Sequence, residues 1–411
     1  MVASLPVVLG AGAGGTAAVR PVAALACAAA VVGWAGLRTA RSRRAATSPP
    51  LRRRRLALPG AAHRDLAAAA PGPATRARTL AVARGVVAIA LVTAVGAWLY
   101  RGWPPDGGTL GWAVTAVAAV SVVVGPLWRA VSPWRAVADG MAWLRRPRQS
   151  RLAPPERAGV FPAAGTALAG TVLVLASPPP AVAIALAVAT VIVLLGGAWR
   201  YGPDWLANAD AVEAASDLLA RLAPVGPDRA APNALVLRGP LLGVVQGATP
   251  PGLRALVAVW AAALATVVVT GGALPAPSGR AGAALAPTLD AVANAPPSLV
   301  LAALLGLAAA GIRAATPRRF LVGALVPALA GWTLAVGLLA GGPATAFTTR
   351  SPGVVVAGLG LVLAGHLLAV SAAHRTAVAR FDLHAARAVQ FPLRAALAAS
   401  AALAAWLAVP A

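Results

Sequence analysis

The chain contains no lysine and little acid. Its 35 basic residues are all arginine, against 11 Asp and Glu in 411 residues. Charged residues make up 11% of the total, where a soluble domain carries about a quarter. That scarcity excludes an ordinary water-facing surface. A single cysteine, Cys27, excludes a disulfide framework or a thiolate metal site within the chain. Gly-x-Ser-x-Gly, His-Glu-x-x-His and a phosphate-cradling glycine loop are all missing. The sequence therefore names no catalytic residue, no cofactor and no metal ligand set, and gives no positive sign of an enzyme.

What is abundant is apolar. Hydrophobic residues reach 59% and the mean hydropathy is +0.77. Runs of roughly 17 to 22 apolar residues recur along the chain, the length needed to cross about 30 Å of hydrocarbon. The alternating short strands of a membrane barrel do not occur. The pattern predicts an all-α polytopic transmembrane helical bundle, one integral membrane domain over 1–411. The expected spans are 20–37, 83–100, 109–127, 159–177, 181–199, 255–274, 298–315, 320–340, 353–373 and 394–410. That is about ten; the last is short and Ala-rich, so nine is the alternative.

Arginine alternates with these spans. Only Arg20, Arg101, Arg280 and Arg350 fall on one side; all the others fall in the intervening loops on the opposite side. Positively charged loops stay cytoplasmic, so both termini are expected outside, in a multi-pass protein of the cell membrane. Arginine without lysine, beside abundant Ala, Gly and Pro, also reflects GC-rich codons. The pI near 12 is thus no sign of a nucleic-acid partner. The expected partners are the lipid bilayer and other membrane subunits.

The loop at 38–82, rich in Arg and Pro, is expected to be a disordered cytoplasmic segment. Residues 275–297 suggest a short interfacial helix. The loop at 200–254 reads as cytoplasmic with an amphipathic helix over about 204–222. In that reading Leu206, Val212, Leu218 and Leu222 lie on one side, and Asp210, Glu213, Asp217 and Arg221 form a solvated face on the other. Such a face either packs at the inner surface or accepts a cation or a basic partner.

Few residues could carry chemistry. No Asp or Glu lies deep in any span, which counts against proton-coupled carriage. His366 is the clear ionisable residue inside one. It is either a neutral histidine bonded to its surroundings or a group that lines a solute path, relays a proton or binds a metal. His374 lies eight residues on, about 12 Å along a helix axis, so the two cannot share one metal. Pro327 within the eighth span is expected to kink it and border a cavity. Two Trp-Arg pairs, Trp128-Arg129 and Trp134-Arg135, read as interfacial anchors, or else as a surface for a partner.

Three stretches together resemble a known family. They are Trp128-Arg129 with Ser132-Pro133-Trp134-Arg135; Tyr201-Gly202-Pro203-Asp204-Trp205 with Asp210-Ala211-Val212-Glu213; and Gly365-His366-Leu367 with Ala373-His374-Arg375 and Gln390-Phe391-Pro392. This resembles a family of polytopic membrane proteins from actinobacteria and haloarchaea, some labelled fenitrothion hydrolase-like. The resemblance implies a multi-pass helical fold and, through that label, organophosphate ester cleavage. The chain departs from the family's pattern at Thr270-Gly271-Gly272, in place of an aromatic-Asp-Gly element, and at Gly331-Trp332, in place of a His-aromatic pair. The expected role is a permease-like or membrane-complex subunit handling a small solute. The alternatives are a structural or accessory membrane protein and a membrane-bound organophosphate hydrolase.

Overall fold

A backbone crosses hydrocarbon only with its own polar groups satisfied, which favours helices, and helices dominate this chain. The computed structural model describes residues 16–46, 82, 85–86, 107–144, 152–176, 178–227, 235–237, 241–270, 295–340 and 352–408. The longer helices are α1 (Thr16–Ala46), α2 (Gly107–Val123), α5 (Phe161–Leu175), α6 (Pro180–Tyr201), α10 (Leu253–Thr270), α11 (Pro297–Ala315), α12 (Val326–Ala340), α13 (Pro352–Val378) and α14 (Leu383–Ala408). Between them lie short helices α3 (Leu127–Val131), α4 (Pro133–Leu144), α7 (Leu206–Ala209), α8 (Ala211–Leu219) and α9 (Leu242–Gln246). One antiparallel pair, β1 (Val225–Pro227) and β2 (Leu235–Leu237), sets Val225 opposite Leu237.

Among the described residues, 6 helices are long and apolar enough to cross a membrane: Val22–Thr39, Pro180–Tyr201, Ser298–Ala315, Arg319–Leu338, Gly353–Val378 and Leu383–Leu407. Three expected spans appear as shorter apolar helices, Val114–Val123, Phe161–Leu175 and Leu253–Val269. The expected span 83–100 lies outside the described residues apart from Gly85 and Val86, as does nearly all of 275–297. Helix α1 runs on to Ala46, so the segment expected to be disordered begins as helix; the rest of it, apart from Val82, lies outside the described residues. The last span starts earlier than expected, since α14 carries Arg387 and Arg394 within one continuous helix and tolerates Pro392 inside it.

Packing follows the small residues. Helix α13 sits between α12, α14 and α1, and α12 also meets α2. The largest buried cluster joins Val31, Ala118, Leu321, Ala369, Val370, Ala373, Leu393 and Leu397 from these helices. A second, around Leu253, Leu256, Val257, Val322 and Val326, ties α5, α8 and α10 to the start of α12. Helices α6 and α11 lie outermost, with Ile184 65% and Leu307 69% exposed, apolar faces compatible with lipid contact.

Helices α12 and α13 approach each other closely. A Cβ on Gly331 would meet the carbonyl of Leu361, and one on Gly365 would meet the carbonyl of Pro327 and the Cα of Gly331. Both glycines are therefore required by proximity, since only a bare Cα lets the backbones come so near. Pro327 does not kink a helix as expected. A 3-10 stretch, Arg319–Leu325, precedes α12, and Pro327 falls in the first turn of α12, where its missing N–H is no loss. Gly360 on the same helix has open space around it. Replacing Gly365 by Ala is expected to destabilise the fold by about 1–3 kcal/mol, while Gly360→Ala is neutral or slightly stabilising. Thermal or SDS-induced unfolding of the two variants checks this.

Candidate functional site

The two polar motifs of the middle of the chain come together. Helix α3 ends at Val131, Ser132 turns extended, and Pro133 opens α4, as a residue before proline and a proline at the first helical position both favour. This corner aims Trp128 and Arg135 at the 204–222 segment. That segment is not the single amphipathic helix expected. It is a 3-10 turn (Pro203–Trp205), α7, a break at Asp210 with ψ 114, then α8 and a second 3-10 turn (Ala220–Leu222). The break has a local cause. The Asp210 carboxylate accepts the backbone N–H of Val212 at 2.9 Å and caps α8, offering the chain a partner other than continued helix.

Glu213 is 0% exposed. Arg135 grips it through two donors, Nε to Oε2 at 2.8 Å and Nη2 to Oε1 at 2.5 Å, the two-pronged geometry that arginine gives to carboxylates. Asp210 Oδ2 accepts Trp128 Nε1 at 2.9 Å and Ser132 Oγ at 3.5 Å. Arg129 is half-exposed and stands 3.5 Å from Asp204 and 4.0 Å from Glu213. Trp134 packs beside Ala138, Leu194, Leu206 and Ala209. The expectation of interfacial anchors is thus corrected: Trp128 and Arg135 turn into the protein, because buried carboxylates there need donors. The expected solvated acidic face is corrected as well, since Glu213 points inward and Val212 outward, 40% exposed.

Neighbouring helices are tied to the same knot. Ser121 and Ser216 hydroxyls meet at 2.8 Å, joining α2 to α8. Thr166 Oγ1 of α5 donates to the Ala209 carbonyl at 2.6 Å, where α7 stops. Helix α6 widens to a π-type turn over Ile192–Gly196. Such a turn disturbs the helix's own hydrogen bonding, and Trp205 Nε1 donates to the Val193 carbonyl there at 2.8 Å. Its indole lies on Gly197, where any Cβ would collide with the ring.

Burial raises the carboxyl of Asp210, with the Trp128 bond opposing it. Asp217 rises further, to about 6, through burial first and then the charge of Glu213 one turn earlier; Arg129, Arg135 and Arg221 pull the other way. Burial lowers Arg221, whose Nη1 donates to the Ala248 carbonyl at 2.8 Å. Asp217 and Arg221, one turn apart, act on each other by charge at a distance. Among the described residues no group of three or more His, Cys, Asp or Glu is placed to hold a metal ion.

The second polar region lies on α13. His366 is 0% exposed, and its Nδ1 donates to the Val362 carbonyl at 2.7 Å. A carbonyl only accepts, so Nδ1 carries the proton and Nε2 presents a lone pair; that atom is buried and has no hydrogen-bond partner. His374 lies nearer the arginine-rich end, bonded to Gln390 and 3.4 Å from Arg394 Nη2. No family model, curated protein or solved structure matches the chain. The reading of its function therefore rests on this geometry.

Sequence reasoning placed Asp210, Glu213, Trp128 and Arg135 on two separate surfaces, and the structure joins them. It missed Ser132, Ser121, Ser216, Thr166 and Trp205 as their supports. It also missed Gln390 and Arg394, although a polar pair at i and i+4 before an apolar run was a visible signal. Removing one partner of a buried ion pair strands the other. Arg135→Met is expected to cost about 3–5 kcal/mol, and the double variant Arg135→Met/Glu213→Leu to recover most of it; unfolding of purified protein measures both. Asp217 gives a pH test. Its folded value lies above its unfolded one, so the native state holds the proton more tightly and stability falls as pH rises from about 4 to 6. Asp217→Asn keeps the neutral form throughout. The stability of the wild type relative to this variant is expected to fall across that window and level off above it; parallel profiles from pH 4.5 to 7.5 would refute the assignment.

Proposed function

We propose that the chain is a multi-pass subunit of the cell membrane, permease-like or part of a membrane complex, whose bundle holds a small solute beside His366. The observation that carries this reading is the bare Nε2 of a fully buried histidine within the apolar helix Gly353–Val378. An acceptor left unmet in a low-dielectric interior costs about 1–3 kcal/mol, and a donor on a solute or a water offsets it. Orientation follows from arginine. Its alternation with the spans supports loops inside and both termini outside.

A structural or accessory role is the second reading. The backbone contact of Gly331 with Leu361 and of Gly365 with Pro327 favours it, since it closes the bundle next to His366. The hydrolase reading, drawn from the resemblance, loses its carboxylates: Glu213 is held by Arg135, and Asp210 by Trp128 and the N–H of Val212.

Cysteine accessibility separates the first two. In a Cys27→Ala background, Val362→Cys and Ala369→Cys place thiols about a turn either side of His366, on its buried face. A solute path predicts labelling of at least one by a charged, membrane-impermeant thiol reagent in intact vesicles. Labelling of both only after denaturation overturns the permease reading in favour of the accessory one.

A further inference from the structure

We propose that Ser400 of α14 completes the site at His366, and that the two together bind a small uncharged molecule whose polar head both donates and accepts a hydrogen bond, as an amide or an alcohol does. This rests on the reading of His366 as a solute site. Three helices meet there at one level. Trp332 Nε1 of α12 donates to Ser400 Oγ at 3.0 Å. Gly331, beside Trp332, lies against the backbone of Leu361 and Gly365 in α13. Ser400 is thereby brought to the turn of α13 that carries His366. The layer one turn away fixes the faces. Ala335, Val362 and Ala404 are buried in a single cluster, with Trp332 packed against it. Ala335 is four residues on from Gly331, Val362 four before His366 and Ala404 four on from Ser400. Residues four apart share a helix face, so His366 and Ser400 face the same seam between α12, α13 and α14.

The two side chains have opposite needs. His366 Nδ1 donates to the Val362 carbonyl at 2.7 Å, which leaves Nε2 a buried lone pair with no partner. Ser400 is the converse. Its Oγ accepts the indole, and among the described residues its O–H proton goes to no acceptor. Two other hydroxyls that accept an indole behave differently. Ser371, bonded by Trp34, gives its proton to the Leu367 carbonyl at 2.7 Å. Thr333, bonded by Trp260, gives its proton to the Leu329 carbonyl at 2.8 Å. Ser400 makes no such bond to its own helix. It keeps a donor free, half-buried, on the seam where the acceptor of His366 is also free.

A donor and an acceptor left unmet in an apolar interior each cost free energy. A direct bond between them would relieve both, and the structure makes none. A head group that donates to Nε2 and accepts from Oγ relieves both at once. A molecule that only accepts serves Ser400 and leaves Nε2 bare. Gly331, Ala335, Val362 and Ala404 along the seam offer no opposite charge, so an ion is excluded at that depth. Their small side chains, and the shielding of Nε2, suit a molecule of few atoms.

The test uses the full chain in phosphatidylcholine nanodiscs, with its histidine nitrogens isotopically labelled. The Nε2 resonance of His366 is followed by NMR and assigned by its loss in His366→Phe. Acetamide, which donates and accepts, is titrated beside N,N-dimethylacetamide, which only accepts. Acetamide is expected to move the resonance saturably, and N,N-dimethylacetamide to leave it in place. Ser400→Ala is expected to weaken acetamide binding roughly tenfold, and Ser400→Thr to restore it. Trp332→Phe removes the indole donor but leaves the Ser400 proton, so binding is expected to persist. A Ser400 that only anchors Trp332 would make Ser400→Ala and Trp332→Phe alike. Equal binding in wild type and Ser400→Ala, equal loss in Trp332→Phe, or a like response to both amides overturns the proposal and leaves the solute reading of His366 standing. No response to acetamide while Val362→Cys or Ala369→Cys is labelled also overturns the proposal alone. No response with both thiols unlabelled removes the solute reading with it. Should Ser400→Ala not fold, Ser400→Cys leaves only a weak donor, and undiminished binding in it counts equally against the proposal.

Discussion

A charge leaves water only where an opposite charge or several donors wait for it, and the fold is organised around one such meeting, Arg135 with Glu213. The pair is buried at both ends. Holding it there demands the corner at Ser132-Pro133, which turns α4 toward α8, and the break at Asp210, which starts α8 afresh. The surrounding helices then attach to that segment through single polar contacts: α2 at Ser216, α5 at Ala209, α6 at Trp205. A loop between two apolar spans thereby becomes the part that fixes how four helices sit.

Deeper in the bundle neutral links join the helices. Ser371 donates its hydroxyl proton to the Leu367 carbonyl of its own helix and accepts the Trp34 indole from α1. Thr333 does the same with Leu329 and Trp260. Trp332 of α12 donates to Ser400 of α14 at 3.0 Å. An indole brings a large apolar surface and one donor, and a hydroxyl brings one donor and spare lone pairs. Paired in this way, Ser371 and Thr333 each place their proton within their own helix and still tie a second helix, at no cost in buried charge.

The apolar runs were legible because length and composition carry them. Nine of the expected spans coincide with apolar helices, three of them shorter than a crossing helix needs. The knot was not legible, and the reason is physical. Periodicity assigns a residue to a face of its own helix, but whether that face meets water depends on a partner remote in sequence. Glu213 was read as solvated because α8 taken alone is amphipathic; α4, 78 positions away at Arg135, supplies the donor that lets it turn inward. Pro327 was misread for a similar reason. A proline within an apolar run suggests a kink until the run proves to begin as a 3-10 stretch and change form just before it. The resemblance grouped the Trp-Arg and Asp-Glu motifs without saying that they touch.

Among the described residues, the buried side-chain polar atoms that make no hydrogen bond are one histidine nitrogen and the Nε atoms of several arginines, and they differ in polarity with depth. His366 offers a lone pair deep within a long apolar helix. Arg387 and Arg394 offer N–H donors toward the arginine-rich end. The difference follows from the dielectric. In hydrocarbon a neutral imidazole is tolerable where a guanidinium is not, so a group held there must be neutral and must itself donate. At the helix ends water and headgroups screen charge, so cations can gather there. Helix α13 carries His366 one residue from Gly365, where its backbone lies against α12.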